Sequence, residues 1–282
     1  MKPTIIHNQG LQARLFLTCS MSLGIVAAGW PGQAMAEAVD TELVLLVDVT
    51  SSALNNKDFT QLMDGYATAF SSTQIIDSIQ SGASKRIAVS LMFFGDASSQ
   101  QVGIPWMMIE NGGQALQFAN ELLNVARPSW GSTADIGAGL SAAASSFGTE
   151  TGGPANGFES AFQIIEVAES KKPKNNAAAA ASASSTAALT AGVDVINSLA
   201  LGNQSGSIND FYAANVIGST VEGIAATSTT SVLNNTFAAT LTSSLGQTIQ
   251  ASADSSITAV PEPGRMLALV TGIIFLLKRR RL

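Results

Sequence analysis

Cysteine and histidine are almost absent from this sequence. Its 282 residues include one cysteine, Cys19, and one histidine, His7, and both lie near the amino terminus. Residues 37–260 therefore contain no disulfide, no cysteine nucleophile and no Ser-His-Asp triad. Because they also lack imidazole and thiolate ligands for zinc, a bound metal would be held by oxygen atoms, which suits Mg²⁺, Mn²⁺ and Ca²⁺.

Charged residues are scarce as well, at 12% of the chain. Of the 14 lysines and arginines, two precede residue 37 and five follow residue 260, so the segment between has seven against 19 acidic residues, a net charge of −12. So few basic residues predict no extended basic surface for a nucleic acid, and we expect no nucleic-acid partner. An acidic chain of this kind favours cations instead.

The first 36 residues have the three parts of a secretory signal. Lys2 and Arg14 come before an apolar run, LFLTCSMSLGIVAAGW, and the small residues AMA at Ala34–Ala36 come after it. This order predicts export, with cleavage by signal peptidase before Glu37. Glycine and proline directly after the apolar run disfavour the alternative of a buried helix.

The carboxyl terminus, VPEPGRMLALVTGIIFLLKRRRL, combines a spacer, a short apolar segment and a basic end. The apolar segment, Met266–Leu277, is shorter than the ~20 residues of a stable membrane span, and Lys278–Arg281 favours the cytoplasmic side. A plain tail anchor is one interpretation. The order of parts from Val260 to Leu282 resembles the PEP-CTERM sorting signal of Gram-negative bacteria. The resemblance implies a precursor anchored transiently in the inner membrane, processing by an exosortase, and a final place at the cell surface or in the extracellular matrix.

The chain between these ends alternates strands with helices, which predicts an α/β fold with an open, doubly wound, mostly parallel sheet and helices on both faces. The predicted strands are Glu42–Val49, Arg86–Phe94, Gln101–Ile109, Ala161–Val167 and Val193–Leu199. The predicted helices are Lys57–Ser81, Gly113–Ala126, Thr133–Phe147, Asp210–Asn215 and Val232–Ile249. Pro105 favours an edge position for the third strand. We expect a signal at 1–36, a domain at 37–250, a linker at 251–259 and the tail at 260–282.

The Ala/Ser tract within Lys171–Thr186 has a composition that does not fix its structure. A solvated helix and a disordered insertion both fit it. The role of residues 177–188 is left open by the sequence.

An acid and several hydroxyls follow the first predicted strand. Asp48, Thr50 and Ser52 are two residues apart, so a curled loop can bring their oxygen atoms toward one point. Ligands of doubly wound sheets bind outside the carboxyl ends of the strands, and hard oxygen atoms suit Mg²⁺. The equally weighted alternative is that Thr50–Ser52 cap the following helix.

The motif D-x-[ST]-x-S at Asp48–Ser52 resembles the metal-ion-dependent adhesion site of von Willebrand factor A domains. The pieces LVLLVDVTSS, GYATAF, RIAVSLMFFG, FANEL, GSTADIGAGL, AGVDVINSLALGN and DFYAANVIGS are closer to a bacterial, largely uncharacterised branch of these domains. The resemblance implies one divalent cation, Mg²⁺ or Mn²⁺ and less readily Ca²⁺, at the carboxyl end of the sheet. Its implied ligands are Asp48, Thr50, Ser52 and Thr133, although Thr133 also fits a helix cap.

The sequence departs from the family pattern after its fourth strand. The family has an Asp-Gly turn there, whereas this chain has IIEVAESKKPKNN. Glu169 is the nearest acid, Glu166 falls within the strand, and Asp135 is a further acid in the loop after Thr133. Glu169 and Asp135 are therefore additional candidate ligands.

The resemblance implies a binding or adhesion module rather than an enzyme. Its cation would keep one coordination position for a carboxylate of a protein or polysaccharide ligand. A structural matrix protein with a decayed metal site is the main alternative, because the Asp-Gly turn is missing. A cation-dependent hydrolase is disfavoured by the lack of histidine and cysteine for proton transfer.

We expect the exported protein to begin at Glu37, because the small residues at Ala34–Ala36 follow the apolar run of a signal sequence. Amino-terminal sequencing of exported material checks this. Exported protein that still carried Lys2 and Arg14 would contradict the signal and would return Cys19 and His7 to the mature chain.

Overall fold

A computed structural model of the chain describes residues 36–259. The strands of this part are β1 (Glu37–Asp48), β2 (Ile87–Phe94), β3 (Gln100–Ile109), β4 (Phe158–Glu169), β5 (Val195–Leu201), β6 (Gly218–Ser219) and β7 (Ser228–Ser231). Its α-helices are α1 (Asn56–Phe70), α2 (Thr73–Gln80), α3 (Gly112–Asn124), α4 (Ile136–Ser146), α5 (Ala178–Ala191), α6 (Ser205–Asn215) and α7 (Phe237–Ala259). The predicted sorting tail, and the predicted signal apart from Ala36, lie outside the described residues.

The strands form one sheet in the order β3-β2-β1-β4-β5-β6, and β7 also pairs with β5. β1 runs parallel to β2 and β4, and β5 runs parallel to β4 and β7. β3 is antiparallel to β2 at one edge, where Pro105 interrupts the ladder and the register shifts between Val89 and Met92. The predicted open, mostly parallel α/β sheet and the edge position of the third strand are confirmed.

Both faces of β1 are covered, which explains why its sequence is apolar without alternation. Leu43, Leu45 and Val47 pack against a cluster that includes side chains from α1, α2, α3 and α7. Val44 and Leu46 pack against a second cluster that includes side chains from α4, α5 and α6. The carboxyl ends of the parallel strands consequently meet at one edge, between the two layers of helices.

The structure divides one predicted helix and assigns the Ala/Ser tract, which the sequence left open. The segment Lys57–Ser81 is two helices, because the chain turns at Ser71 and Ser72, and the Ser72 hydroxyl accepts a hydrogen bond from the Ile75 amide at 3.3 Å. The Ala/Ser tract forms helix α5, whose residue Ala181 is buried. A disordered insertion is therefore wrong for this tract.

The segment 251–259, expected to be a linker, continues helix α7. Ser252 and Ala253 are buried, and the hydroxyls of Ser252 and Thr41 are 2.8 Å apart. The helix begins at Phe237 rather than at Val232. Small alanine and serine side chains give little apolar periodicity, so their burial in this helix was not visible in the sequence. Within the described part of the chain, no helix has the length and apolar character needed to cross a bilayer.

Glu166 is an isolated acid in the interior of β4. Its side chain is 1% exposed, and its carboxyl oxygens form no well-aligned hydrogen bond among the described residues, although Asn197 lies opposite it on β5 and acts to lower its pKa. Burial raises its pKa from 4.5 to about 8. The carboxyl group therefore keeps its proton in the folded chain at neutral pH and loses it on unfolding.

We expect Glu166→Gln to reduce the loss of stability as the pH rises. Below pH 4.5 both states of Glu166 are protonated, and between 4.5 and about 8 only the unfolded chain is ionised. In that window Glu166 lowers the free energy of unfolding by ~1.4 kcal/mol per pH unit, a dependence that Gln lacks. Urea denaturation from pH 4.5 to 8 measures the difference, with Glu121→Gln on the exposed face of α3 as control. Parallel pH profiles for Glu166→Gln and the wild type would contradict the protonated state.

Candidate metal centre

Two carboxyl groups meet where β1 and β4 end. Val47 lies opposite Ala168 in the parallel ladder, so the next residues, Asp48 and Glu169, stand side by side on one face of the sheet. Each is 1% exposed. The two carboxyl groups lie within hydrogen-bonding reach of each other. The parallel register of the two strands therefore builds a buried acid pair.

Backbone amides orient both carboxyl groups of the pair. Asp48 Oδ1 accepts a hydrogen bond from the Thr50 amide at 2.8 Å. Glu169 Oε1 accepts hydrogen bonds from the amides of Ser170 at 3.0 Å and Lys171 at 2.9 Å. These bonds leave the remaining carboxyl oxygens of the pair available to each other and to a ligand.

Burial and the closeness of the two acids disfavour two negative charges in the pair. Burial raises the pKa of Asp48 and raises that of Glu169 well above its usual value, and the neighbouring Asp48 raises the pKa of Glu169 further. The Lys171 charge acts in the opposite direction on Asp48. In the described part of the chain, neither acid forms an ion pair with a lysine or arginine. A divalent cation would replace the proton that such a pair retains.

A buried hydroxyl next to the pair is also unsatisfied. Tyr212 on α6 is fully buried, and its hydroxyl has no hydrogen-bond partner among residues 36–259. Burial raises its pKa well above the usual value, and the charges of Glu169 and Asp48 raise it further. Sequence reasoning missed Tyr212, because a tyrosine within a helical pattern is usually only a core residue.

The three predicted hydroxyl ligands lie around the acid pair on two loops. Thr50 is fully buried, and its Oγ1 is 3.4 Å from Ser52 Oγ. Ser52 Oγ donates a hydrogen bond to the Ser132 carbonyl at 2.7 Å, which brings the first loop against the loop that carries Thr133. Thr133 is exposed, and its hydroxyl forms no hydrogen bond with the rest of the described chain.

None of these hydroxyls caps a helix, the alternative that the sequence left open. Helix α1 is capped by Asn55, whose Oδ1 accepts a hydrogen bond from the Asp58 amide at 3.0 Å. Helix α4 is capped by Asp135, whose Oδ1 accepts one from the Ala138 amide at 3.0 Å. Asp135 thus stabilises the amino-terminal end of α4.

Arg127 holds the first loop in place. Its Nη2 donates hydrogen bonds to the carbonyls of Val49 at 2.8 Å and Thr50 at 3.1 Å. Thr50 also forms an isolated parallel bridge with Trp130, and the Ser51 amide donates to the Gly131 carbonyl at 3.1 Å. Sequence reasoning missed Arg127, and the only signal was its rarity in a chain with few basic residues.

The candidate ligands open into one cleft of about 290 Å³ at the carboxyl edge of the sheet. Asp48, Ser52, Thr133, Asp135 and Glu169 line it, while Thr50 lies beneath. No group of three or more acidic, histidine or cysteine side chains suited to a metal occurs among the described residues. The candidate donors are therefore two carboxylates and several neutral hydroxyls, and this set of oxygen atoms fits Mg²⁺ or Mn²⁺.

The sheet order and the place of the cleft define a mostly parallel α/β domain with its site at the carboxyl ends of the strands. Among similar solved structures is the minor pilin PilB from Streptococcus sanguinis, with 13% identity, a TM-score of 0.50, and coverage of 79% of this chain and 64% of that chain. Another is the von Willebrand factor type A domain from Catenulispora acidiphila, with 11% identity, a TM-score of 0.46, and coverage of 77% and 43%. A third is proximal thread matrix protein 1 from the mussel byssus, with 15% identity, a TM-score of 0.48, and coverage of 77% and 48%.

At these identities the similarity concerns the fold alone, and the chain spans less than two thirds of each of these structures. No curated protein matches the sequence. Residues 38–254 match the family described as "Protein of unknown function (DUF1194)", and the chain belongs to this family. The match includes both strands of the acid pair and most of α7, so it extends beyond residue 250, where we expected the domain to end.

We expect Asp135→Ala to lower the free energy of unfolding by ~1 kcal/mol, because it removes the cap of α4. Asp135→Asn should keep the cap and most of this stability. Chemical denaturation without metal measures both effects. If Mg²⁺ binds at the cleft, the thermal shift that it produces should be the same in both variants as in the wild type. A shift lost in both would instead make Asp135 a ligand.

Proposed function

We propose that this chain is an exported binding module that holds one Mg²⁺ or Mn²⁺ and uses it to bind a carboxylate of a protein or polysaccharide. Asp48, Thr50, Ser52, Thr133 and Glu169 would hold the cation. The observation that supports the proposal is the acid pair, because two buried carboxyl groups stand side by side with no ion-pair partner among the described residues. Isolated buried acids are costly, and a cation would compensate this pair.

Different residues would supply the charged and the neutral oxygen donors of this centre. Asp48 and Glu169 supply negative charge, and backbone amides hold their carboxyl groups in place. Thr50, Ser52 and Thr133 supply neutral oxygens, so the charge of a bound cation is balanced by no more than two carboxylates. A bound cation would supply an electrophilic centre for a ligand carboxylate. A site with few acids repels that carboxylate less, so it accommodates the ligand more readily.

Binding fits the site better than catalysis does. Residues 36–259 contain no histidine or cysteine for proton transfer or nucleophilic attack. The two acids would be occupied as ligands, and Asp135 is occupied as a helix cap. We therefore propose that the chain is not an enzyme.

A metal-free scaffold is the second candidate function. The observation in its favour is that only two carboxylates converge, since the third acid in the cleft caps α4. In that case the acid pair would keep a proton and the domain would serve as a structural matrix protein. The titration below distinguishes the two functions.

The proposed location depends on the two ends of the chain. The sequence of residues 1–36 supports export through signal peptidase, and that of residues 260–282 supports transient anchoring in the inner membrane and processing by an exosortase. The cell surface or the extracellular matrix would be the final place.

We expect Mg²⁺ or Mn²⁺ to stabilise the wild-type domain and not the variant Asp48→Ala. Binding to the native state alone adds ~2.7 kcal/mol at a cation concentration one hundred times the dissociation constant. Thermal unfolding with increasing metal measures this gain. Glu169→Gln should reduce it, and Asp64→Ala, an exposed acid on α1, should leave it unchanged.

Without metal, Asp48→Ala should unfold at the wild-type temperature or slightly above, because it removes a buried acid next to another. If millimolar Mg²⁺ and Mn²⁺ leave the wild-type curve unmoved, the metal-dependent proposal falls and the scaffold function is favoured.

A further inference from the structure

The lysines of this acidic chain are concentrated at the candidate metal centre. Residues 37–260 have seven basic side chains, and three of them lie within the segment KKPK. Lys171, Lys172 and Lys174 all line the cleft that contains the acid pair. We call these three residues the lysine rim. Three lysines therefore meet three acids, Asp48, Asp135 and Glu169, at one opening of a domain with a net charge of −12.

The lysine rim is held in position while its charges remain free. The Lys171 amide donates to Glu169, the Lys172 amide donates to Gln204 Oε1 at 3.2 Å, and the Lys174 carbonyl accepts from the Ala177 amide at 2.9 Å. All three lysines are exposed, and none forms an ion pair within the described part of the chain. Their charges are consequently available to a partner.

The cleft has polar and small apolar lining residues but no large exposed apolar or aromatic side chain. The large apolar side chains with the greatest exposure are Val102, Leu116, Leu123 and Val232, and none of them lines the cleft. No aromatic side chain of the described residues lines it either. Protein interfaces usually depend on aromatic and apolar anchors, so this surface fits a hydrophilic polyanion better than a folded protein.

We propose that the lysine rim binds a polysaccharide with repeated carboxylate groups, such as a polyuronate, by contacting acidic units beyond the one at the cation. This inference rests on the proposed function for the first carboxylate. The lysine contacts themselves do not need the cation. The contribution of the cation to binding should therefore be lost on chelation, whereas the contribution of the lysines should weaken as the ionic strength rises.

The test measures binding of polygalacturonate to the full domain at 50 and 200 mM salt, with Mg²⁺ and with a chelator. The variant is Lys172→Gln/Lys174→Gln, which leaves Lys171 unchanged because its charge also acts on Asp48. The control is Lys57→Gln/Lys85→Gln, which removes the same charge from exposed positions outside the cleft. Dextran and polyglutamate serve as neutral and polypeptide probes.

We expect the rim variant to bind polygalacturonate about three to thirty times more weakly at low salt, at a few tenths to one kcal/mol per exposed ion pair. Its affinity should also depend less on salt, and the control should bind as the wild type does. If the rim variant keeps wild-type affinity, or the control loses as much, the inference is overturned. It is also overturned if polyglutamate binds and polygalacturonate does not, which would favour an acidic polypeptide.

The outcomes separate this inference from the proposed function. If the lysines matter and chelation has no effect, the polyanion surface stands and the metal proposal fails. If Mg²⁺ stabilises the domain but the lysine changes have no effect on polygalacturonate, the metal proposal stands and the lysine inference fails.

Discussion

The parallel register of β1 and β4 is the constraint on which the site depends. The two strands are in step through Val47 and Ala168, and both end on an acid. Side chains alternate across a sheet, so both strands need the correct parity for Asp48 and Glu169 to meet on the face covered by α4, α5 and α6. The loop anchored by Arg127 then places the hydroxyls over the pair.

Strand β4 holds a second buried acid, Glu166, on its opposite face, and the surroundings of the two acids differ. Glu166 is three residues before Glu169, so it faces the layer of α1 and α7, where Asn197 is a polar neighbour but its carboxyl oxygens form no well-aligned hydrogen bond with the described chain. Glu169 has two backbone amides and a neighbouring carboxyl group. Glu166 therefore keeps its proton near neutral pH, whereas under the proposed function Glu169 would share a cation with Asp48.

The sequence was most informative where the pattern was strongly periodic or apolar. Strands β1, β2 and β4 were recognisable because buried parallel strands are continuously apolar, and Asp48, Thr50 and Ser52 followed directly from the end of β1. The role of Glu169 was harder to predict, because it depends on strand register with a partner over one hundred residues away in sequence. The short strands β6 and β7 are polar and leave no hydrophobic pattern. In α7, Leu241, Leu245 and Ile249 made the helix predictable, and only its last turns, rich in small residues, were hidden. The capping function of Asp135 could not be separated from a ligand function without knowing where α4 begins.

The edge of the sheet at β3 has a consequence for how copies of this domain behave together. An exposed edge strand offers free backbone amides and carbonyls to a strand of another molecule. In β3, Pro105 has no amide hydrogen to donate, and the shifts of register opposite Val89–Met92 distort the ladder. Such an edge is a poor template for intermolecular β-pairing, so the domain resists edge-to-edge aggregation at this side of the sheet.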